Sequence, residues 1–251
     1  MSYKRILLVF SNLLLIILFT MYGNMIFFKN GNDIIKNVNS NEITVDSLKI
    51  DEVILPLSED AGWDYINKIY FVGDSTTYHF YKGGVDKSHI LVPDSLTLKL
   101  TSNITNVMVG NSELTIAQAI NKLNCEIVIL TIGVNGADNF SETKYKTYYQ
   151  KLIDAILEIS PNTKIIIQSV FPVTKAYSDE NKGITNSGIN RLNEWAMQLA
   201  YENGLSYLDT QSILKDDTGA QYEYYNVQDG IHMNEIAYEA IIYYIRTHAI
   251  E

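Results

Sequence analysis

The sequence predicts an α/β domain of three layers, in which a parallel sheet lies between two layers of helices. From Lys68 onward, short β-rich runs alternate with amphipathic helical patterns. Two of the runs are apolar throughout, as strands covered on both faces are. Strands alternating with helices of this length imply right-handed crossovers and a parallel sheet. Such sheets bind ligands beyond the carboxyl ends of their strands, so functional residues are expected directly after strands.

The strands are predicted where aliphatic, β-branched and aromatic residues make up most of a short run. The first ends at Gly73, and glycine commonly marks the point at which a chain turns. The other runs have the length of buried strands and are too short for helices. The predicted strands cover 69–72, 126–132, 164–170 and 205–208.

The helices are predicted where apolar residues recur three and four positions apart, which is the spacing of one helical face. Ser141 and Asn234 are the expected N-caps of two of them, because their side chains can accept a hydrogen bond from the first turn. Pro161 and Gly204 mark expected ends. The predicted helices cover 112–124, 141–160, a segment from 186 or 187 to 204, and a last helix after 234.

The first 30 residues differ from the rest of the chain. Lys4 and Arg5 precede the run Ile6–Phe28, which has no charged side chain and is long enough to cross a hydrocarbon core of about 30 Å. We therefore expect a single-pass membrane anchor over residues 1–30, inserted through 6–28, with the N-terminus in the cytoplasm.

Behind this anchor, a polar, Asn-rich stalk is predicted over 31–65 and one globular domain over 66–251. The alternative is a cleaved signal peptide and a secreted protein, but the apolar run is long for a signal peptide and no A-x-A-like site follows it. Both interpretations place the domain outside the cytoplasm.

The charge of the chain excludes some classes of partner. The whole sequence carries a net charge of −10, and the first 30 residues contribute basic residues but no acidic ones. An acidic domain repels phosphate backbones, so nucleic-acid binding is not expected. A single cysteine, Cys125, allows no disulfide within the chain and is expected to be a small buried side chain.

Three polar clusters follow strands or precede a helix, at positions that a parallel sheet brings to one edge. Gly73-Asp74-Ser75 directly follows the first strand, Gly133-Val134-Asn135-Gly136 follows the second, and Asp229-Gly230-Ile231-His232 precedes the last helix. A serine becomes a nucleophile at neutral pH when a histidine held by a carboxylate takes its proton. Acyl transfer also requires donors for the developing oxyanion, for which the Ser75 amide and the Asn135 side chain are candidates.

The three clusters, in this order, resemble three of the four signature blocks of the SGNH/GDSL hydrolase superfamily, over residues 66–251. The resemblance implies a flavodoxin-like fold in which Ser75 is the nucleophile and Asp229 and His232 complete the triad. It also implies an oxyanion hole formed by the Ser75 amide, Asn135 and a glycine amide from the remaining block. Gly110 is the position matched to that glycine, and a non-glycine amide of the same loop is the alternative.

Other polar residues have simpler interpretations. Asp74 is expected to order the turn before Ser75, and His79, one helical turn beyond it, is more often a structural histidine than a catalytic one. Tyr222, Tyr224 and Tyr225 either line an acceptor site or pack the loop before Asp229. No metal-ligand spacing and no dinucleotide-binding loop is present, so neither a metal nor a cofactor is expected.

Taken together, these features favour an extracytoplasmic serine esterase that removes a small, acetyl-like acyl group from a glycan or another cell-envelope molecule. An O-acyltransferase with the same triad remains possible, because the two activities differ only in whether water or an alcohol attacks the acyl-enzyme. A catalytically silent envelope-binding protein is the third hypothesis, and the intact set of Ser75, Asp229 and His232 argues against it.

Overall fold

The computed structural model describes residues 50–93 and 106–250. The predicted anchor over 1–30 and the first part of the predicted stalk lie outside the described residues. Within the described ranges, no helix is both long enough and apolar enough to cross a membrane.

A five-stranded parallel sheet forms the centre of a compact unit that spans Ser47–Glu251. The strands of the described residues are β1 (Ile69–Gly73), β2 (Ile90–Leu91), β3 (Asn106–Val109), β4 (Ser112–Thr115), β5 (Ile127–Thr131), β6 (Lys164–Gln168) and β7 (Ser206–Leu208). The order in the five-stranded sheet is β2-β1-β5-β6-β7, which is the order of flavodoxin-like sheets once the strands outside the sheet are omitted. The predicted parallel α/β architecture is therefore confirmed.

Helices cover both faces of the sheet, and this explains why its central strands are continuously apolar. Successive residues of β5 alternate between two hydrophobic clusters: Val128 and Leu130 face α3, α4 and α6, whereas Ile127 and Ile129 face α1 and α7. Each fully buried aliphatic side chain of this kind contributes roughly 1.5–3 kcal/mol. The helices are α1 (Gly62–Ile66), α2 (Ser75–Tyr78), α3 (Ile116–Leu123), α4 (Glu142–Ile159), α5 (Lys175–Asp179), α6 (Asn186–Asn203) and α7 (Glu235–Arg246).

The predicted helix ends are set by side-chain caps. Ser141 accepts a hydrogen bond from the Lys144 amide at the start of α4, and Asn234 accepts one from Ala237 at the start of α7. Gly204 ends α6 in the left-handed conformation, with φ of 63°. These three expectations are confirmed.

The prediction of a helix over 112–124 is wrong for its first four residues. Residues 112–115 form β4, which pairs with β3 in an antiparallel hairpin. The helix α3 begins only at Ile116, because Thr115 and Gln118 form a reciprocal capping box that fixes the start there. Leu114 nevertheless packs against the same core as α3, so the apolar stripe was recognised correctly although the backbone conformation was not.

The described part of the predicted stalk, residues 50–65, packs on the domain. Ile54 forms a parallel bridge with Tyr207 of β7, and the Leu55 amide donates to the Tyr207 carbonyl at 2.9 Å. Further along, the Ser58 and Ala61 amides donate to carbonyls at the end of α7. The polar composition of this segment did not reveal that it extends the edge of the sheet.

Candidate active site

The side chains of Ser75, His232 and Asp229 form one hydrogen-bonded chain. The Ser75 Oγ lies 3.0 Å from His232 Nε2. On the other side of the ring, His232 Nδ1 lies 2.7 Å from Asp229 Oδ2. Ser75 thus meets the Asp229 and His232 pair from a distant part of the sequence, and the three side chains have the order of contacts that activates a serine hydroxyl.

Ser75 is presented by the sharp turn between β1 and α2. Gly73 ends β1 opposite Thr131 of β5, and a Cβ at Gly73 would lie 2.5 Å from the Thr131 carbonyl oxygen and also overlap the Thr77 side chain. The absence of a side chain is therefore required for this close approach. Ser75 itself, two residues further on, is exposed, so its hydroxyl is accessible to substrate.

Asp74 orders this turn, as the sequence suggested. Its buried carboxylate accepts from the amide and the hydroxyl of Thr76, at 3.0 and 2.7 Å, and also from the backbone amide of Val134. Burial raises the pKa of Asp74, while the hydrogen bonds from Thr76 and the nearby His232 act in the opposite direction. The carboxylate thereby caps α2 and connects the loop of Ser75 to the loop that follows β5.

The loop that carries Asp229 and His232 is held by an internal network. The Asn226 side chain donates to the His232 carbonyl at 3.1 Å and accepts from the Gly230 amide at 3.0 Å. It also donates to the buried side chain of Gln221 at 2.6 Å. Lys82 donates to the carbonyl of Met233 at 3.0 Å, which fixes the backbone directly after the histidine.

The carboxylate of Asp229 accepts three hydrogen bonds, and this determines its charge. Its Oδ1 accepts from the amides of Ile231 and His232, at 2.9 and 2.8 Å, while Oδ2 accepts from the His232 ring. Partial burial alone would raise the pKa of Asp229, but the three hydrogen bonds outweigh it and hold the pKa below its ordinary value. Asp229 is therefore ionised at neutral pH.

Gly230 is a further requirement of this loop that the motif alone did not explain. Its φ is 84°, and a Cβ built on it would lie 2.6 Å from Tyr177 Cβ. Both the left-handed backbone and the contact with α5 therefore exclude a larger residue. Gly219 offers a comparison, because its φ is 79° but a Cβ there would meet nothing within 4 Å.

Gly230→Ala should consequently be more damaging than Gly219→Ala. The left-handed backbone should cost about 1–2 kcal/mol of stability in either variant, whereas only Gly230→Ala adds the clash with Tyr177 and displaces Asp229 and His232. We expect a lower melting temperature and a lower kcat for Gly230→Ala, measured by thermal unfolding and ester hydrolysis. Equal effects of the two substitutions would show that the contact with Tyr177 adjusts at no cost.

The two remaining candidate oxyanion donors lie in different surroundings. Asn135 is half-buried in the turn that follows β5, the strand next to β1, and thus at the edge of the sheet where Ser75 lies. Gly110 lies in the tight turn between β3 and β4, with φ of 62° and open space around its Cα. The left-handed backbone of the hairpin turn is sufficient to explain a glycine at this position. The role of Gly110 as an oxyanion donor stays a prediction.

The carboxyl end of β2 is the other position at which a parallel sheet would present a donor. The chain leaves β2 at Leu91, and residues 94–105 lie outside the described residues.

Comparison with known proteins assigns this site to a family. Residues 71–240 match the model of the GDSL-like lipase/acylhydrolase family. The chain belongs to this family. Residues 71–240 therefore form a domain of a family of hydrolases that act on ester bonds, and the match includes the segments of Ser75, Asn135, Asp229 and His232.

The individual proteins that this chain resembles are distant from it in sequence. Over 201 residues the chain is 25% identical to an N-acylneuraminate cytidylyltransferase of Streptococcus agalactiae, a match that covers 72% of this chain and 46% of that protein. The chain thus spans about half the length of the curated relatives that it matches.

Among solved structures, a GDSL-like lipase of Bacteroides thetaiotaomicron superimposes with a TM-score of 0.51 and 16% identity, covering 78% of this chain and 91% of that one. The periplasmic domain of a lipopolysaccharide acetyltransferase of Salmonella ser. Paratyphi A gives a TM-score of 0.50 and 15% identity, covering 87% and 94%. Both structures share the fold of this chain.

His79 packs against His232 of the candidate catalytic triad. Its ring is perpendicular to that of His232, with 5.3 Å between the centroids, and also contacts the ring of Tyr238. Its Nδ1 is buried without a hydrogen-bond partner among the described residues. Burial, followed by the charges of Lys82 and His232, lowers the pKa of His79. A neutral His79 adds no positive charge beside His232.

The three tyrosines before Asp229 pack on one another. The ring of Tyr224 lies 5.0 Å from that of Tyr222 and 4.3 Å from that of Tyr225, centroid to centroid. The Tyr224 carbonyl accepts a hydrogen bond from Asn234, the cap of α7. Loop packing is therefore part of their role, while the Tyr224 side chain remains 60% exposed.

No metal centre accompanies this site in the part of the chain that the structure describes, where no group of three or more His, Cys, Asp or Glu side chains is arranged to hold an ion. Cys125 is buried at the start of β5, and burial raises the pKa of its thiol to about 12. A thiol held protonated at neutral pH is a poor nucleophile, so Cys125 does not compete with Ser75 as a nucleophile.

Proposed function

We propose that the protein is a serine esterase that forms an acyl-enzyme on Ser75 and removes a small acyl group, such as acetyl, from a glycan or another cell-envelope molecule. The observation that carries the mechanism is the continuous chain from Ser75 Oγ through the His232 ring to the Asp229 carboxylate. It supplies a nucleophile, a base and an orienting acceptor without any rearrangement.

In the acylation step, the Ser75 oxygen attacks the ester carbonyl while His232 Nε2 takes the hydroxyl proton. Asp229 holds the ring with its proton on Nδ1 and stabilises the imidazolium that forms. The same imidazolium then donates its Nε2 proton to the departing alcohol, so that the C–O bond breaks without expelling an alkoxide. Water, activated by the neutral ring, attacks the acyl-enzyme in the second step and releases the acid.

The developing oxyanion requires donors that are already in place. Ser75 is the first residue of α2, where an amide has no acceptor within the helix, and its N–H is the first donor that we propose. Asn135 follows the neighbouring strand and is the second. The third donor is Gly110 or a non-glycine amide of the same loop.

Asn135→Ala should lower kcat by about 10²-fold or more, because one preorganised oxyanion donor is worth roughly 2.7–4 kcal/mol in the transition state. KM should change little, since the ground-state carbonyl is bound less strongly than the oxyanion. The measurement is steady-state hydrolysis of an acetyl ester, with thermal unfolding to confirm that the fold is retained. A kcat equal to that of the wild type would make Asn135 a residue of the loop only.

The substrate proposal rests on accessibility and on relatives. Ser75 is exposed, so an ester on a bulky polymer can approach it. The curated relatives named above are enzymes of an N-acylated sugar, which supports a carbohydrate as the acyl carrier. The discriminating experiment measures acid release from O-acetylated glycans and from aryl esters of increasing chain length. Preference for long acyl chains, or no release from any glycan, would contradict the proposal.

We also propose that residues 6–28 remain in the membrane and that 31–251 lie outside the cytoplasm. The uncharged run Ile6–Phe28 and the basic residues before it support this topology. Protease added to intact cells should then degrade the C-terminal domain while a cytoplasmic marker survives. Full protection of the domain would refute the topology, and recovery of a shortened soluble protein would favour the cleaved signal peptide.

A further inference from the structure

A cavity of about 290 Å³ lies directly behind Asp229. It opens between the start of α5 and the loop that leads to His232. Its wall includes Asp229 and Gly230 from the catalytic loop, Tyr177 and Glu180 from the α5 region, and Glu223 from the loop before. Asp229 contacts the His232 ring, and His232 contacts Ser75. The cavity therefore begins on the far side of Asp229, with the imidazole ring of His232 between Asp229 and the nucleophile.

The charged side chains that line this cavity are carboxylates. Glu180, Glu223 and Asp229 contribute them, and among the described residues no lysine or arginine belongs to the lining. Glu180 is paired with Lys182 at 2.8 Å, and Asp229 is engaged by His232. Glu223 is exposed and its side chain forms no ion pair or hydrogen bond with another described residue, so its carboxylate is available to accept hydrogen bonds from a ligand. A ligand with its own carboxylate or phosphate would meet like charge there.

Gln228 adds a second group that is not used by the fold. It lines the same cavity, its backbone is left-handed with φ of 74°, and its side-chain amide makes no hydrogen bond with another described residue. Hydroxyl groups donate to carboxylates and exchange hydrogen bonds with amides. Glu223 and Gln228 together thus present the acceptors and donors that a polyhydroxylated ligand uses.

We infer that this cavity is a subsite for the sugar unit adjoining the acylated one, and that it selects a sugar without negative charge, with Glu223 and Gln228 as the specificity-determining residues. The inference rests on the proposed glycan esterase activity and adds the class of glycan. A neutral or amino sugar can donate to the Glu223 carboxylate, whereas a uronic acid cannot enter without opposing its charge. The leaving alcohol stays near His232 Nε2, and the adjoining sugar extends past Asp229.

The test uses three O-acetylated disaccharides that differ only in the unacetylated neighbouring sugar, which is glucose, glucosamine or glucuronic acid. For the wild-type protein we expect kcat/KM for the glucuronic acid member to be about tenfold or more below that for the glucose member. Glu223→Lys should reverse this order, because the charge that faces the ligand changes sign. Gln228→Ala should lower kcat/KM for the glucose and glucosamine members relative to p-nitrophenyl acetate, which has no sugar to place in the cavity.

The matched control is Glu158→Gln, which removes an exposed carboxylate at the end of α4, away from the cavity, and should leave all ratios unchanged. Equal kcat/KM for the three disaccharides, or a ratio unaffected by Glu223→Lys, would overturn the subsite. In that case Ser75-dependent hydrolysis of p-nitrophenyl acetate would still uphold the esterase. Absence of hydrolysis with every ester would instead overturn the proposed function itself.

Discussion

Ser75→Ala and His232→Ala should each lower kcat for an acetyl ester by about 10⁶-fold, the scale on which the members of such a unit act together. The Ser75 hydroxyl is a poor nucleophile until a base removes its proton, and His232 Nε2 is the base at 3.0 Å. Removal of either member leaves the other without a function. The double variant should therefore be little slower than either single one.

Covalent labelling gives the second measurement of this prediction. An aryl or alkyl fluorophosphonate should attach to Ser75 alone, as identified by mass spectrometry of the labelled peptide, and the reaction should require His232. Ser160→Ala is a suitable control, since Ser160 follows α4 at the opposite edge of the sheet and should not affect labelling. A label on another serine, or undiminished turnover by Ser75→Ala, would refute the mechanism. A folded wild-type protein with neither label nor turnover would favour a silent binding protein.

The sequence was sufficient for the parts of the site that depend on local chain geometry. Ser75 follows β1 directly, and Asp229 and His232 precede the cap of α7, so a parallel sheet with these strands necessarily brings them to one edge. The continuous apolar runs identified β5 and β6 because both faces of those strands are covered. These predictions required only the position of each residue relative to a strand or a helix.

The residues that support the site were not predictable in the same way. Gln221, Asn226 and Lys82 hold the catalytic loop through contacts with backbone groups whose partners the sequence pattern does not identify. A polar side chain in a loop gives no local signal that it will be buried. The motif contains Gly230, but the motif does not show why a glycine is required there. The requirement follows from the close approach of Tyr177, which belongs to α5.

Two strands that the sequence did not predict have a common physical cause. The strand β2 has only two residues, too few for a period to be recognised, and it exists because β1 offers it an edge. The hairpin strand β4 presents Leu114 to the core at the spacing that also suits a helix. Short segments of this kind take their conformation from the surrounding structure and not from their own periodicity.

Asp229→Asn should lower kcat by about 10⁴-fold, less than the loss of Ser75 or His232 but still severe. The asparagine can keep the turn if its Oδ1 accepts from the Ile231 and His232 amides, as the aspartate does at 2.9 and 2.8 Å. Its Nδ2 then points at His232 Nδ1 and can only donate. The ring must take the tautomer with its proton on Nε2, and that nitrogen can no longer accept the proton of Ser75.

The pH profile tests the same carboxylate. The pKa of Asp229 is held below its ordinary value, so its charge persists above that lowered pKa and is lost only as the pH falls through it. Between mildly acidic and neutral pH the titration of Asp229 should accordingly add no pH dependence to the wild-type rate. Asp217→Asn, at an exposed aspartate in another turn, serves as the control and should leave kcat and the profile unchanged. If Asp229→Asn stayed within about tenfold of the wild type, other contacts would have to fix the tautomer of His232, because the hydrogen bond at 2.7 Å is the only constraint on Nδ1 among the described residues.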